Sequence, residues 1–485
     1  MNTIRFATWF FLAYLAVLPF AHTTALRNLV FAGLLLSVAV AVVRHGQASL
    51  LANGRTWPWA WLIWVLFLLL FPLWAPGEGA SQFIAGQWAQ SVLAWVVGIS
   101  FASLVSPNKL SFKAVSWASA AIVGVYFLQL GLASSGLYGP NAPYHAPWSL
   151  TLQAWQHTLT HGWESWGARV PFPFAGYDEM HGNLGYAGTQ LIALCAAWYA
   201  ASKPLGQSKE RVMAVGLVLA CLLSAVWISS RGALLFDGVM LVVAYLFFRV
   251  TRVHAVSTGT KNQHAMRWTL LAMGVVMVAF VAGKTILKDE RWHLMTTKMQ
   301  AGWMVKDPMD YMCFGLKADE RQSILNKLSI QDPVLAEKIM LGFEQDAGRV
   351  VLMGVGWQLV KENPLGIDGS RQAYEKAITA KCGGQPVNTF AHTHNGWMNL
   401  ALSLGWLGAA LYFALLASMA YEGFKQARRG VALPWSSALF LVAFFWIIRG
   451  LTDACYQDHY LLMQGIMLGF LYMRTRLQAQ EAALA

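Results

Sequence analysis

Long apolar runs separated by short polar segments set the pattern of this chain. A helix of about 20 residues crosses a hydrocarbon layer. At that length the runs predict helices near 6–22, 25–43, 57–74, 84–105, 113–134, 184–201, 212–229, 233–249, 268–284, 395–421, 434–449 and 459–474. The expected fold is an all-α polytopic integral membrane protein of about 12 transmembrane helices, since helices satisfy their own backbone in lipid. The first run, Phe6 to Phe20 behind Arg5, has the shape of a secretion signal. A second run begins almost at once, so the first is read as an uncleaved span.

Two long segments break the pattern. Residues 135–183 are rich in Pro, Trp and His, which suggests a folded cap. Residues 285–393 hold 13 of the chain's 23 acidic residues and three amphipathic helical stretches, beginning at Asp319, Pro333 and Arg349. The last of these ends at Asn363-Pro364, a helix stop. The expected organisation is helices one to nine over 1–284, including the loop 135–183, then a helical insertion over 285–393. Helices ten to twelve and a C-terminal tail follow over 394–485.

Composition agrees with the membrane reading. The chain is 57% hydrophobic and only 12% charged, where a soluble domain carries about a quarter charged residues. Its 23 Trp suit interfacial belts. A net charge of +12 raises the question of nucleic acid, but Lys and Arg fall in short clusters between apolar runs and form no single patch. Those clusters encode topology instead. Arg44 and Arg55, Lys109 and Lys113, Lys203 to Arg211, Arg249 to Arg267, Lys425 to Arg429, and Arg474 with Arg476 fall on one side. The loops 75–83 and 450–458 contain neither Lys nor Arg. Both termini are therefore expected in the cytoplasm, with both long segments on the periplasmic side. That compartment is oxidising, so Cys313 and Cys382 are expected to form a disulfide, with Cys455 as an alternative partner.

Candidate chemistry gathers where the polar insertion enters an apolar run. His392, His394 and Asn395 lie there, in Phe390-Ala-His-Thr-His-Asn-Gly. This is a place to hold a titratable base beside a lipid-borne substrate. Gly405 and Gly408 follow at a spacing that lets a neighbouring helix approach. Arg231, in Ser229-Ser230-Arg231-Gly232 between two apolar runs, either snorkels or binds an anion with its planar fork. Arg349 opens an amphipathic helix and either serves a substrate or pairs with Glu344 or Asp346. Arg449 and Asp453 close the eleventh run, as supporting groups for a site or as an interfacial ion pair. His157 and His161 have the i,i+4 spacing of a metal pair. No Cys or placed carboxylate completes that pair, so neither metal nor cofactor is expected. The five cysteines show no CxxC, and there is no Gly-rich nucleotide loop and no internal repeat.

The pattern His394-Asn395, nine residues, then Gly405-x-x-Gly408 resembles the signature of the bacterial O-antigen ligases. These belong to a superfamily of polymerases and ligases, GT-C-like membrane glycosyltransferases. The resemblance extends to Arg231 in its Ser-Arg-Gly turn. It also covers the order Arg349, Trp357, Pro364-x-Gly366 before His-Asn, and more loosely His181-Gly-Asn183. It implies a donor of O-antigen polysaccharide on undecaprenyl pyrophosphate, a lipid A-core acceptor, and an inverting reaction at the periplasmic face of the bacterial inner membrane. It further implies no need for metal or ATP. His394, Arg231 and Arg349 become the expected catalytic residues. Arg231, Arg349, His392, Asn395, His181 and Arg449 become expected substrate contacts. The insertion is longer than in the smallest ligases, which leaves open an O-antigen polymerase or a protein O-oligosaccharyltransferase with the same donor chemistry. A lipid-linked glycan transporter would instead place ionisable groups at mid-membrane, where Asp237 is the main case.

Overall fold

The structure, a computed structural model, describes residues 2–20, 23–45, 57–75, 84–105, 110–134, 177–202, 206–227, 231–251, 283, 294–341, 343, 346–388, 390, 392–456 and 458–484. Among the described residues every regular element is helical. The helices of the first part are α1 (Asn2–Val17), α2 (Thr24–His45), α3 (Trp59–Leu70), α4 (Ala89–Leu104), α5 (Phe112–Ser119), α6 (Ala121–Ser134), α7 (Tyr177–Ser202), α8 (Ser208–Trp227) and α9 (Arg231–Val250). The insertion contributes α10 (Met295–Trp303), α11 (Pro308–Phe314), α12 (Ala318–Lys327), α13 (Pro333–Leu341), α14 (Asp346–Glu362) and α15 (Ala373–Cys382). Then come α16 (Gly396–Arg428), α17 (Trp435–Arg449) and α18 (Asp458–Leu484).

Among the described residues three stretches, Thr24–Arg44, Gly232–Val250 and Gly396–Arg428, are long and apolar enough to cross a membrane. Thr3–Val17, Trp59–Leu73 and Trp435–Arg449 are shorter apolar helices. The chain is thus a helical membrane protein. Its outer surface fits lipid: α2 exposes Leu29, Leu36 and Val43, and α3 exposes Ile63, Leu66 and Leu69. The run expected near 268–284 lies outside the described residues except for Gly283. So does the segment 135–176 with His157 and His161. Helix α7 begins at Tyr177, several residues before the expected start near 184, so His181 stands inside a helix rather than in the loop leading to it.

The core lies among α4, α16, α17 and α18, where Trp95, Tyr412, Leu415, Phe445 and Trp446 are fully buried. Asp237, the charge read at mid-membrane, is buried and accepts a hydrogen bond from the Thr189 hydroxyl across the α7–α9 contact. A buried acid so satisfied is as consistent with a structural tie as with a transport site.

The insertion is bound to the membrane part through backbone groups. Helix α16 breaks at Gly405, whose φ of 76° and ψ of 173° are not helical. The break leaves carbonyls of the preceding turn without their usual donors. The insertion supplies them: Ile367 N–H donates to Leu402 O (2.8 Å) and Gly369 N–H to Ser403 O (2.9 Å). In return Trp406 N–H donates to Pro364 O (3.0 Å). The buried Trp88 indole adds a bond to Gly369 O (3.1 Å). A left-handed φ favours glycine, so Gly405 serves a break filled by the 364–369 loop. This corrects the expectation that a neighbouring helix approaches there. Gly408 does meet a neighbour, since a Cβ on it would lie 3.0 Å from the Phe67 ring of α3. The Cys313–Cys382 disulfide joins the end of α15 to α11, with a Cα separation of 5.2 Å. Cys455 is free and buried.

Candidate functional site

The turn before α16 is built by short polar side chains. Asn395 is the N-cap: its Oδ1 accepts from Met398 N–H (3.0 Å), a bond that Asn supplies well. Its Nδ2 donates to Leu451 O (3.1 Å). Gly396 N–H donates to Gly450 O (2.8 Å), and the Trp397 indole to Ile447 O (3.1 Å). The start of α16 is thereby fastened to the end of α17. Asn395, 7% exposed, has both ends of its amide committed, so it shapes the turn. The buried Thr393 accepts from Asn395 N–H (3.1 Å) and donates its own N–H to Asn399 Oδ1 (3.0 Å). Between these anchors His394 takes φ = 53°. A non-glycine residue rarely holds that conformation, and such strain is stored where surroundings over-determine it.

Fastening α16 to α17 brings together residues 59 positions apart in the sequence. His394 Nδ1 lies 4.0 Å from Asp453 Oδ1. The other carboxylate oxygen lies 3.2 Å from Arg449 Nη2. Arg449 is buried, with its guanidinium over the Tyr186 ring at 4.4 Å and the Phe236 ring at 4.7 Å. It also approaches the backbone that opens α9, because a Cβ on Gly232 would sit 3.2 Å from Arg449 Nη1. The small residue after Arg231 is therefore what admits Arg449. The ion pair foreseen for Arg449 and Asp453 is present; its contact with the histidine was not foreseen.

Helix α14 brings the third charged group. Gly356 allows it against the turn, as a Cβ there would lie 2.7 Å from Thr393 Cγ2. Arg349, in its first turn, is exposed to solvent and close enough to act on the charge of His394. Glu344 and the side chain of Asp346, the ion-pair partners considered for Arg349, lie outside the described residues. So do the side chains of Arg231 and His181, although Arg231 is placed as the first residue of α9. Trp357 packs edge-on against Trp406 at 5.7 Å, beside the helix break.

The charges set the state of the histidine. Burial lowers the His394 pKa first; His392 and Arg349 lower it further, Asp453 opposes them, and the result is about 4. His394 is accordingly neutral at pH 7, able to accept a proton. Burial acts to raise the Asp453 carboxyl, but Arg449, helped by a hydrogen bond from Tyr186, holds it below its ordinary value. Asp453 therefore stays an anion, placed to stabilise an imidazolium if His394 takes a proton. His392 meets His394 edge-on at 4.4 Å, and its buried Nδ1 has no hydrogen-bond partner among the described residues.

His392, His394 and Asp453 also form a set of three possible metal ligands, with ligand atoms within 4.8 Å of one another. The metal-type spacing noted in the sequence was His157 and His161, from which no metal was expected. Two histidines and a carboxylate suit a borderline cation such as Zn²⁺, while Arg349 and Arg449 put positive charge beside the same three groups.

Residues 216–413 match the sequence family described as O-antigen ligase. The matched segment contains Arg231, Arg349, His392, His394, Asn395, Gly405 and Gly408; it leaves out His181, Arg449 and Asp453. No curated protein matches the chain.

Proposed function

We propose, for a chain that residues 216–413 assign to the O-antigen ligase family, that it transfers O-antigen polysaccharide from undecaprenyl pyrophosphate to a sugar hydroxyl of lipid A-core. The O-antigen ligase or polymerase character follows from the family. Donor, acceptor and mechanism are the proposal. The observation that carries it is His394 at the mouth of an apolar helix, 4.0 Å from an Asp453 carboxylate that Arg449 holds, with the charge of Arg349 acting to lower its pKa.

In this reading His394 takes the proton of the acceptor hydroxyl as that oxygen attacks the anomeric carbon. The new glycosidic C–O bond forms as the bond to pyrophosphate breaks, and undecaprenyl pyrophosphate leaves with the bonding electron pair. Attack opposite the leaving group inverts the anomeric configuration. Arg349 and Arg231 stabilise the charge that grows on the departing pyrophosphate, a role for which the planar guanidinium fork is suited. Asp453 steadies the imidazolium, and Arg449 holds Asp453. The pyrophosphate bond supplies the driving force, so ATP is unnecessary; arginine charge takes the place of a divalent metal. The site faces the periplasm of the inner membrane, with both termini in the cytoplasm.

Deletion of the gene separates this reading from its relatives. A ligase predicts lipid-linked polymer of normal chain length that is not joined to lipid A-core. Accumulation of single repeat units would assign a polymerase instead. Loss of glycan from proteins with intact lipopolysaccharide would assign an oligosaccharyltransferase.

A further inference from the structure

Beside the histidine turn the insertion forms a groove of about 200 Å³. One wall is α15, which presents Glu375 and Thr379 one helical turn apart, over a floor at buried Ile378. The facing wall includes Gln385 and Asn388. Phe390, half-buried, closes one end. Both walls are tied to α11. Cys382 ends α15 and is bonded to Cys313, while Asn388 donates from its backbone to Met312 O (3.2 Å) and from Nδ2 to Tyr311 O (2.8 Å). A groove fixed on both sides loses little freedom on binding.

The position of the groove gives it meaning. Phe390 precedes His392 by two residues, so their Cα atoms are at most about 7 Å apart. The Phe390 ring tip also lies 3.9 Å from a Cβ position on Gly348, next to Arg349. The groove thus ends near His392, whose ring meets that of the candidate base His394 at 4.4 Å, and near the helix turn that carries Arg349. Its chemistry is not that of a phosphate site. Among the described residues its one charged lining residue is Glu375, a carboxylate, which repels phosphate. Carboxylate, amide and hydroxyl groups opposite an aromatic ring and an aliphatic floor suit a pyranose. The hydroxyls of such a ring need donors and acceptors, and its C–H faces need apolar cover.

We infer that the groove lined by Glu375, Thr379, Gln385, Asn388 and Phe390 binds a pyranose ring of the glycan next to the reacting centre. The inference rests on the glycosyl-transfer reading and adds a saccharide subsite to it. The ring belongs to the donor polysaccharide or to the acceptor core, and the two share the chemistry just described.

Two soluble probes distinguish them: O-polysaccharide and core oligosaccharide, each released from its lipid by mild acid. Binding to the purified full-length protein is measured by saturation-transfer NMR and titration calorimetry. One of the two saccharides is expected to bind. Thr379→Trp, which fills the groove, and Gln385→Ala, which removes polar contacts, should each weaken that binding by about tenfold. The same variants should raise KM for the corresponding lipid-linked substrate and leave kcat within about twofold. The affected saccharide identifies the source. Both substituted positions are exposed, so retention of the Cys313–Cys382 bond and a monodisperse profile verify folding. Failure of wild-type protein to bind either saccharide overturns the inference, as does unchanged binding by Thr379→Trp. Binding is read without turnover, so this result stands apart from the catalytic reading, whose failure would appear as an active His394→Ala enzyme.

Discussion

Gly366 and Gly405 meet backbone to backbone, closely enough that a Cβ on Gly366 would lie 2.5 Å from Gly405 N. A Cβ on Gly405 would in turn lie 2.6 Å from the Leu365 carbonyl carbon. Both glycines hold φ in the left-handed region, at 85° and 76°. This contact joins the insertion to the broken helix that carries His394, so the placing of the site depends on it.

Gly366→Ala or Gly405→Ala should therefore destabilise the protein. Left-handed strain costs about 1–3 kcal/mol, and overlap in a packed contact costs about 1–3 kcal/mol more. Thermal unfolding in detergent should show a lowered midpoint for both variants, with transfer reduced in proportion to the folded fraction or below it. An unchanged midpoint for Gly405→Ala would mean that the loop is not seated in the break.

Much of this arrangement was legible in the sequence, and the exceptions have physical reasons. Apolar runs gave the helical membrane class, and the oxidising side of the topology gave the Cys313–Cys382 bond. The change from polar to apolar sequence at Asn395 marked the start of α16, because an N-cap stands at such a boundary. Gly405-x-x-Gly408 was misread in part: small residues at helical spacing look alike whether a helix or a loop approaches them. The meeting of His394 with Asp453 carries no local signal. It depends on a turn after α17 docking on the start of α16, and no periodicity encodes that. Arg449 and Asp453 at i,i+4 were visible as a pair; the histidine they approach was not.

Arg349 and Arg449 should fail in different ways. Arg349 is exposed, so Arg349→Ala should weaken donor binding while the unfolding midpoint stays within error, and Arg349→Lys should restore only part of the binding. Arg449 is buried against Asp453. Arg449→Ala leaves that carboxylate without its partner, at a cost of about 3–5 kcal/mol, and should lower stability and activity together. Donor titration and thermal unfolding of the two proteins, side by side, test the distinction.

The depressed His394 pKa makes a prediction with a definite sign. Transfer should stay level as pH falls through 6.5, the ordinary histidine value, and decline only toward about 4. Stability follows the same group. The unfolded chain takes up the proton near 6.5 while folded His394 resists until about 4, so His394 makes stability fall as pH drops through that window. Asp453→Asn removes the group that opposes the depression. It should move the acid limb lower still and reduce kcat by roughly tenfold or more. A wild-type acid limb near 6.5 would contradict the half-buried, neutral base.

Metal removal separates the two possible uses of His392, His394 and Asp453. If the three serve proton transfer, with arginines stabilising the leaving group, dialysis against a strong chelator should leave kcat unchanged within about twofold. Loss of activity that Zn²⁺ restores would assign them to a metal instead.

The most direct test is the transfer rate of purified His394→Ala, measured in a single turnover with defined donor and acceptor and paired with donor binding on the same sample. Loss of a general base costs about 10²–10⁴ in rate. The account predicts a fall of that size with donor affinity within about twofold of wild type, since the pyrophosphate contacts belong to the arginines. A folded His394→Ala protein that transfers glycan at near the wild-type rate would contradict it.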